Sequence, residues 1–291
     1  MMRLFLILLV SAFLSDRTAA REYSGDISSW IVTTQPDKGS KEFETFLHDA
    51  YFSRTSWKLS MDGEKVIAST RATGSAASSS EKPAFDTELI VELKSDDGKG
   101  HAEIIHRTKA DPKWIRKVDD GWLAAYNRGE FGAAIYWFSV DGKTRRKLSD
   151  HWLNDAVQEG DRFIAATGLN HMGRAQGAII GISKGEKGWR VDEFLQLTQS
   201  AERLCQLADR DYLVVTSGYP TSQLLRVDLR KAPIALIDDF PWGPYANSVV
   251  VANGQIYIGT AGYVVRCPLA TTPQSYDLLI PDESWKPKAM E

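Results

Sequence analysis

The sequence predicts an all-β chain built from a repeating unit, and three observations carry that prediction. A short motif recurs: an apolar run, a tight polar turn, then a second apolar run ending in a small or hydroxyl residue. It is clearest at Leu59–Thr70, Lys117–Tyr126, Ala156–Thr167, Gln206–Thr216 and Val249–Thr260. A second set of turns, Ser95-Asp96-Asp97-Gly98, Asp141-Gly142 and Lys184–Gly188, separates an apolar run from an amphipathic one. Asp-Gly between alternating segments is a hairpin signal. Finally, the motif turns, anchored at Gly63, Gly121, Gly160, Arg210 and Gly254, are separated by steps of 58, 39, 50 and 44 residues.

Those steps bracket the roughly 40–50 residues of a four-stranded propeller blade. With strands A to D in each blade, the motif turns join A to B and the second set joins C to D. Over about Trp57–Ile280 the chain resembles an exported β-propeller. Five blades are expected, or six if the two ends together build another. The resemblance is one of architecture. No family motif is present, such as the Trp-Asp ending of one well-known repeat, so no family's functional residues are carried over.

The elements follow in order. Residues 1–20 read as a secretory signal peptide: Arg3, the apolar run Leu4–Leu14 broken by Ser11, then Thr18-Ala19-Ala20 before a cut. The run is shorter than the about 20 apolar residues that span a bilayer, and no later segment is long and apolar enough, so the expected product is exported, periplasmic or extracellular. Residues 21–56 form an N-terminal part. In it Ile27–Thr34 reads as a strand and Phe43, Phe46, Leu47, Ala50 and Tyr51 fall on one face of a short helix that Ser40 would cap. The propeller follows over 57–280, interrupted by the small, polar segment Thr70–Pro83, which reads as a loop. Ala201, Leu204, Cys205 and Ala208 also fit helical spacing, but the repeat register requires a strand from about Arg203. Residues 281–291 read as a loosely held tail. Pairing the Ile27–Thr34 strand with the last blade would close the ring and hide an open edge.

The formal net charge is −3, and −4 once Arg3, Asp16 and Arg17 are removed. A mildly acidic chain lacks the basic stripe of a nucleic-acid binder. The two cysteines, Cys205 and Cys267, are placed on the innermost strand of the fourth repeat and the third strand of the fifth. They are either a disulfide, which export permits, or two small buried residues.

Antiparallel geometry sorts the polar residues onto two faces. The A–B and C–D turns carry Asp62, Asp119, Asp120, Asp141, Glu159, Asp161 and Asp209, assigned to turn chemistry. The D–A loops of the opposite face carry Arg54, Trp57, Asp111, Lys113, Trp114, Asp150, His151, Trp152, Asn154, Asp155, Glu202, Arg203, Trp242, Tyr245 and Asn247. The B–C loops carry Asn127, Arg128, Glu130, Asn170, His171, Arg174 and Tyr219.

Aromatic groups beside charged and amide groups suit a glycan or a protein partner. The candidate ligand-binding residues are Trp114, Trp152, Asn154, Arg128, His171, Arg174, Trp242 and Tyr245. Packing between blades is the alternative for each tryptophan.

Three chemistries have candidate residues in the sequence. Two of Asp155, Glu130, Asp111 and Glu202 would supply the acid and base of a saccharide hydrolase if they stood about 5–10 Å apart. His151 and His171 are weak metal candidates lacking a third ligand. Gly181-Ile182-Ser183-Lys184-Gly185 matches a nucleophile elbow letter for letter, but its serine ends a strand and enters a hairpin rather than a helix. Ser60–Gly63 and Ser139–Gly142 only faintly resemble Asp-box turns.

No cofactor is expected. The reading is a non-enzymatic binding propeller. A saccharide-acting hydrolase and a scaffold subunit of an envelope complex are the alternatives.

Overall fold

The computed structural model describes residues 22–33, 40, 41, 45, 53, 55–70, 88–93, 104–109, 111–172, 174–218, 222–231, 234–240, 246–269 and 276–285. The chain enters through β1 (Ser24–Asp26), a 3-10 turn (Ile27–Ser29) and β2 (Ile31–Thr33). Then come β3 (Trp57–Asp62), β4 (Lys65–Thr70), β5 (Glu88–Leu93) and β6 (Ile104–Lys109). They are followed by β7 (Trp114–Val118), β8 (Gly121–Asn127), β9 (Ala133–Ser139) and β10 (Arg145–Ser149). The next four are β11 (Leu153–Glu159), β12 (Arg162–His171), β13 (Arg174–Gly185) and β14 (Gly188–Leu197). After them come β15 (Ser200–Ala208), β16 (Asp211–Ser217), β17 (Ser222–Asp228) and β18 (Ile234–Phe240). The last are β19 (Ser248–Ala252), β20 (Gln255–Gly259), β21 (Val264–Pro268) and β22 (Asp277–Ile280).

All five motif turns close the expected hairpins, β3–β4, β7–β8, β11–β12, β15–β16 and β19–β20. The turns need backbone of positive φ, which Gly63 (60°) and Gly160 (62°) adopt freely, whereas Arg210 holds it (56°) without being glycine.

Among the described residues, the strands assemble into five antiparallel sheets and one separate hairpin. Sheet I has the order β1-β4-β3, sheet II β10-β9-β8-β7, sheet III β11-β12-β13-β14, sheet IV β15-β16-β17-β18, and sheet V β19-β20-β21-β22-β2. β5 and β6 pair with each other.

Side-chain alternation shows how the sheets stack, because successive residues of a strand point to opposite faces. On β12, Phe163 and Ala165 pack with Leu123 and Ile135 of sheet II. Ile164 and Ala166 pack with Leu204, Tyr212 and Val214 of sheet IV. On β16, Leu213 and Val215 turn instead to Ile256, Ile258 and Val265 of sheet V. Sheet V in turn offers Val264 and Leu279 to Trp57, Leu59 and Val66 of sheet I.

Sheets II to V therefore stack face to face in chain order, and sheet V stacks on sheet I, as in a propeller-like fold. A second strand sandwiched on both sides must be apolar at every position. That is why Trp122–Tyr126, Phe163–Ala166 and Tyr212–Val215 read as unbroken runs, not as alternation.

Several details differ from, or add to, the sequence reading. The predicted Ile27–Thr34 strand is split. The Asp26 side chain accepts the Ser28 amide at 2.9 Å and turns Ile27–Ser29 into a 3-10 segment. Only Ile31–Thr33 then pairs with β22, with Ile31 opposite Ile280.

The segment from Ser200 is a strand, as the repeat register required, and it starts three residues before Arg203. Cys205 on β15 and Cys267 on β21 are both free thiols.

Trp285, in the segment read as a tail, packs 5.1 Å from Trp57, within an aromatic group that includes Tyr23 and Trp30. Of the predicted helix around Phe43–Tyr51, Thr45 is described and is helical, its hydroxyl donating to the Lys41 carbonyl at 2.9 Å. The rest of that helix, the leader and all but the first residue of Thr70–Pro83 lie outside the described residues.

Candidate binding face

The face opposite the motif turns is built by the start of each sheet's first strand and by the β8–β9 and β12–β13 connections. Two β-bulges shape it. Register slips between Leu153 and Asp155 on β11, and between Ala201 and Arg203 on β15, so Asn154 and Glu202 are the extra residues at equivalent places in sheets III and IV. A bulge re-aims side chains and is common beside functional sites.

Asn154 is saturated. Its amide nitrogen donates to the carbonyls of Gly168 (3.0 Å) and Ala201 (2.9 Å), and its oxygen accepts from the Asn127 amide at 2.8 Å. It thereby joins sheets II, III and IV.

Asp155 accepts the amides of Ala156 (3.0 Å) and Leu204 (3.1 Å). Arg203 donates to the carbonyls of Asn247 (2.7 Å) and Asn154 (3.3 Å). The Ser248 hydroxyl accepts the Leu59 amide at 2.8 Å. A belt of hydrogen bonds thus runs from sheet II through III, IV and V to sheet I. Close approach at the V–I seam also needs Gly259, where a Cβ would stand 2.3 Å from the Trp57 carbonyl oxygen.

Burial pushes the Asp155 carboxyl above the ordinary range, against Arg203 and the Leu204 and Ala156 amides that favour its charged form. Burial likewise raises Glu202, opposed by the Ser200 hydroxyl (2.8 Å), Arg203 and Lys113.

The remaining sequence candidates fall as follows. Trp114 opens β7 and lies edge-on to Phe163 of sheet III, 5.4 Å between rings, with the Arg116 guanidinium 5.5 Å from its ring centre. Trp152 donates its indole N–H to the Gly129 carbonyl at 2.7 Å. Arg128 is exposed and precedes a 3-10 turn over Gly129–Phe131.

The His171 ring nitrogen Nε2 meets the Glu130 carboxylate, tying the β8–β9 and β12–β13 connections together, while His151 faces Glu193 at 3.4 Å. Arg174 begins β13, opposite His171 in the ladder. Asp111 is exposed just before β7. Trp242, Tyr245 and Tyr219 lie outside the described residues. Among the described residues, no three His, Cys, Asp or Glu side chains gather to hold a metal ion, and no helix is long and apolar enough to cross a membrane.

Two exposed apolar side chains complete this face. Phe131 is 60% exposed and Met172 is 89% exposed, and each is the chain neighbour of one partner in the Glu130–His171 pair. Met172 also holds a positive φ of 49°. A large apolar group displayed on unfavourable backbone is a feature sequence reading missed. Its only signal was that the two B–C connections each carry such a residue beside a charged one.

On the opposite face, the motif-turn carboxylates do more than shape turns. Asp120 of sheet II accepts indole N–H groups from Trp137 (3.2 Å) and from Trp189 of sheet III (2.9 Å), and meets Lys184 at 2.9 Å. Glu159 of sheet III accepts from Gln206 (3.1 Å), the Arg210 amide (2.8 Å) and the Tyr212 hydroxyl (2.5 Å) of sheet IV.

No family model matches the chain, and no curated protein matches it. Solved structures do match. One, a crystal structure of a nidogen/laminin complex, is 13% identical with a TM-score of 0.41, covering 65% of this chain and 71% of that one. A likeness of that size leaves the reading of the face to its own residues.

Proposed function

We propose that this chain is an exported five-bladed propeller, sheets I to V being the blades, which binds a protein partner through the face carrying the β8–β9 and β12–β13 connections. The observation that carries the proposal is the display of Phe131 and Met172 around the Glu130–His171 contact. Exposed apolar groups rimmed by charge suit a protein contact. The belt of hydrogen bonds beneath supports a rigid platform, which limits the ordering cost of binding. Export rests on the Leu4–Leu14 run and the small residues after it. Pairing of β2 with β22, and packing of Trp285 on Trp57, support closure of the ring by its two ends.

A hydrolase is favoured less, because three of the four candidate carboxylates are engaged: Asp155 by two backbone amides, Glu202 by Ser200, and Glu130 by His171. A glycan is favoured less because Trp114 and Trp152 are held by Phe163 and Gly129.

The test is quantitative capture from the envelope or secreted fraction of the source cells by residues 21–291. Wild type is compared with Phe131→Asp/Met172→Asp and with Met61→Asp on the other face. A discrete protein retained by wild type and by Met61→Asp but lost by the double variant is expected. Equal capture by all three, or a rise in melting temperature with an oligosaccharide instead, contradicts the proposal.

A further inference from the structure

In sheets II to V the second strand is paired on its outer side by the next strand in sequence: β8 by β9, β12 by β13, β16 by β17, β20 by β21. Sheet I breaks this rule. The outer side of β4 is taken by β1, from the far N-terminal end, while β5 pairs only with β6 among the described residues. We propose that the outer edge of β4 is an exchange site, with β1 and β5 as alternative third strands and the N-terminal strap a releasable clasp.

Four observations carry this. First, β1 is a poor match for the edge: it covers Ser69, Ala68 and Ile67 only, whereas β3 pairs with six residues of the same strand. Second, β5 has six residues, the same length as β4. Both β1 and a β5 returning from β4 would run antiparallel to it, so one edge serves either.

Third, β5 already comes close to β9 of sheet II. That is where the outer half of sheet I belongs when sheets stack in chain order.

Fourth, the junction is open. A cleft of about 360 Å³ lies among Glu22, Tyr23, Ser24, Ser69 and Thr70, at the end of the β1–β4 ladder. Beyond the ladder, the polar links of β1 to β4 are two hydrogen bonds between Tyr23 and Thr70, both 2.9 Å, and a 3.8 Å ion pair from Asp26 to exposed Lys65, while the Tyr23 ring and Ile27 at its two ends pack in the core with Trp57. Meanwhile β2 stays anchored on β22 and Trp30 in the aromatic group. The Ser24–Asp26 backbone can therefore part from β4 while Trp30 and β2 hold the strap on Trp57 and sheet V.

The test is hydrogen exchange at the amides of residues 88–93 and 104–109 in three proteins. Ser24→Cys/Ser69→Cys joins two residues directly opposite in the ladder, and its oxidised form locks β1 in place. Gly25→Pro removes a ladder donor from β1 and favours release. Exchange over 88–93 is expected to be at least tenfold slower in Gly25→Pro than in the oxidised lock. Reduced Ser24→Cys/Ser69→Cys should return to the wild-type rate.

Equal exchange over 88–93 in the locked and reduced forms overturns the proposal. That comparison uses one folded protein in two redox states, so it stands even if Gly25→Pro fails to fold.

Discussion

The Asp155 carboxylate reaches across the seam between sheets III and IV and accepts the backbone amide of Leu204 at 3.1 Å. The seam between sheets V and I repeats the device with a different residue, Ser248 accepting the Leu59 amide at 2.8 Å. In both, a first strand with no neighbour on its inner edge has an amide satisfied by the preceding sheet. An unsatisfied buried amide costs about 1–3 kcal/mol. Asp155→Ala should therefore lower stability by about 2 kcal/mol, and Asp155→Asn by less, because its amide oxygen can still accept. Urea unfolding of both variants checks this.

The pH dependence at this seam has a definite sign. Burial raises the Asp155 and Glu202 carboxyls, so the folded chain binds their protons more tightly than the unfolded chain does. Their contribution to stability is greatest at or below the ordinary carboxylate range and falls as pH rises through the raised values. Asp120 behaves oppositely. Burial alone would raise it, but the Trp189, Lys184 and Trp137 hydrogen bonds outweigh burial and lower it to about 2. Its contribution is complete above the ordinary aspartate value and is lost as pH falls toward 2. Melting temperatures of Asp155→Asn and Asp120→Asn, each subtracted from wild type between pH 2 and 7, should slope in opposite directions.

Glu159 should couple strongly to Tyr212, whose hydroxyl donates to it at 2.5 Å across the seam. Single Glu159→Gln and Tyr212→Phe changes should each cost about 1–2 kcal/mol, and the double variant less than their sum. An additive double-mutant cycle would mean that the contact carries no stability.

Trp285 should anchor the C-terminal end. It packs on Trp57, which is fully buried, and lies 6.1 Å from Tyr23. Trp285→Ala should cost about 3 kcal/mol and speed amide exchange at β1 and β2 more than at sheet III.

Much of the fold is legible in the sequence because its turns carry their own chemistry. Glycine at 63, 121, 160 and 254 marks a hairpin that forms. The unbroken run Tyr212–Val215 marks a strand covered on both faces. What escapes is whatever depends on the neighbouring sheet. Ser24-Gly25-Asp26 has no alternation, and it becomes a strand only because β4 offers an edge.

The candidate face divides in the same way. Asn154, Asp155, Glu202 and Arg203 fall where the repeat put them, at the starts of first strands. Their roles depend on bulges at Asn154 and Glu202, and no residue pattern announces those. Asp120 and Glu159 read as turn residues because their partners, Trp189 and Tyr212, lie 69 and 53 residues away.

Photocrosslinking tests the central claim most directly. A benzophenone amino acid replaces Phe131 in one protein and Val140 in another; these side chains are 60% and 65% exposed and lie on opposite faces. The account predicts one discrete protein adduct from position 131 and none from 140 in the source cells. The same adduct from both positions, or adducts from 140 alone, would contradict a partner-binding face at the β8–β9 and β12–β13 connections.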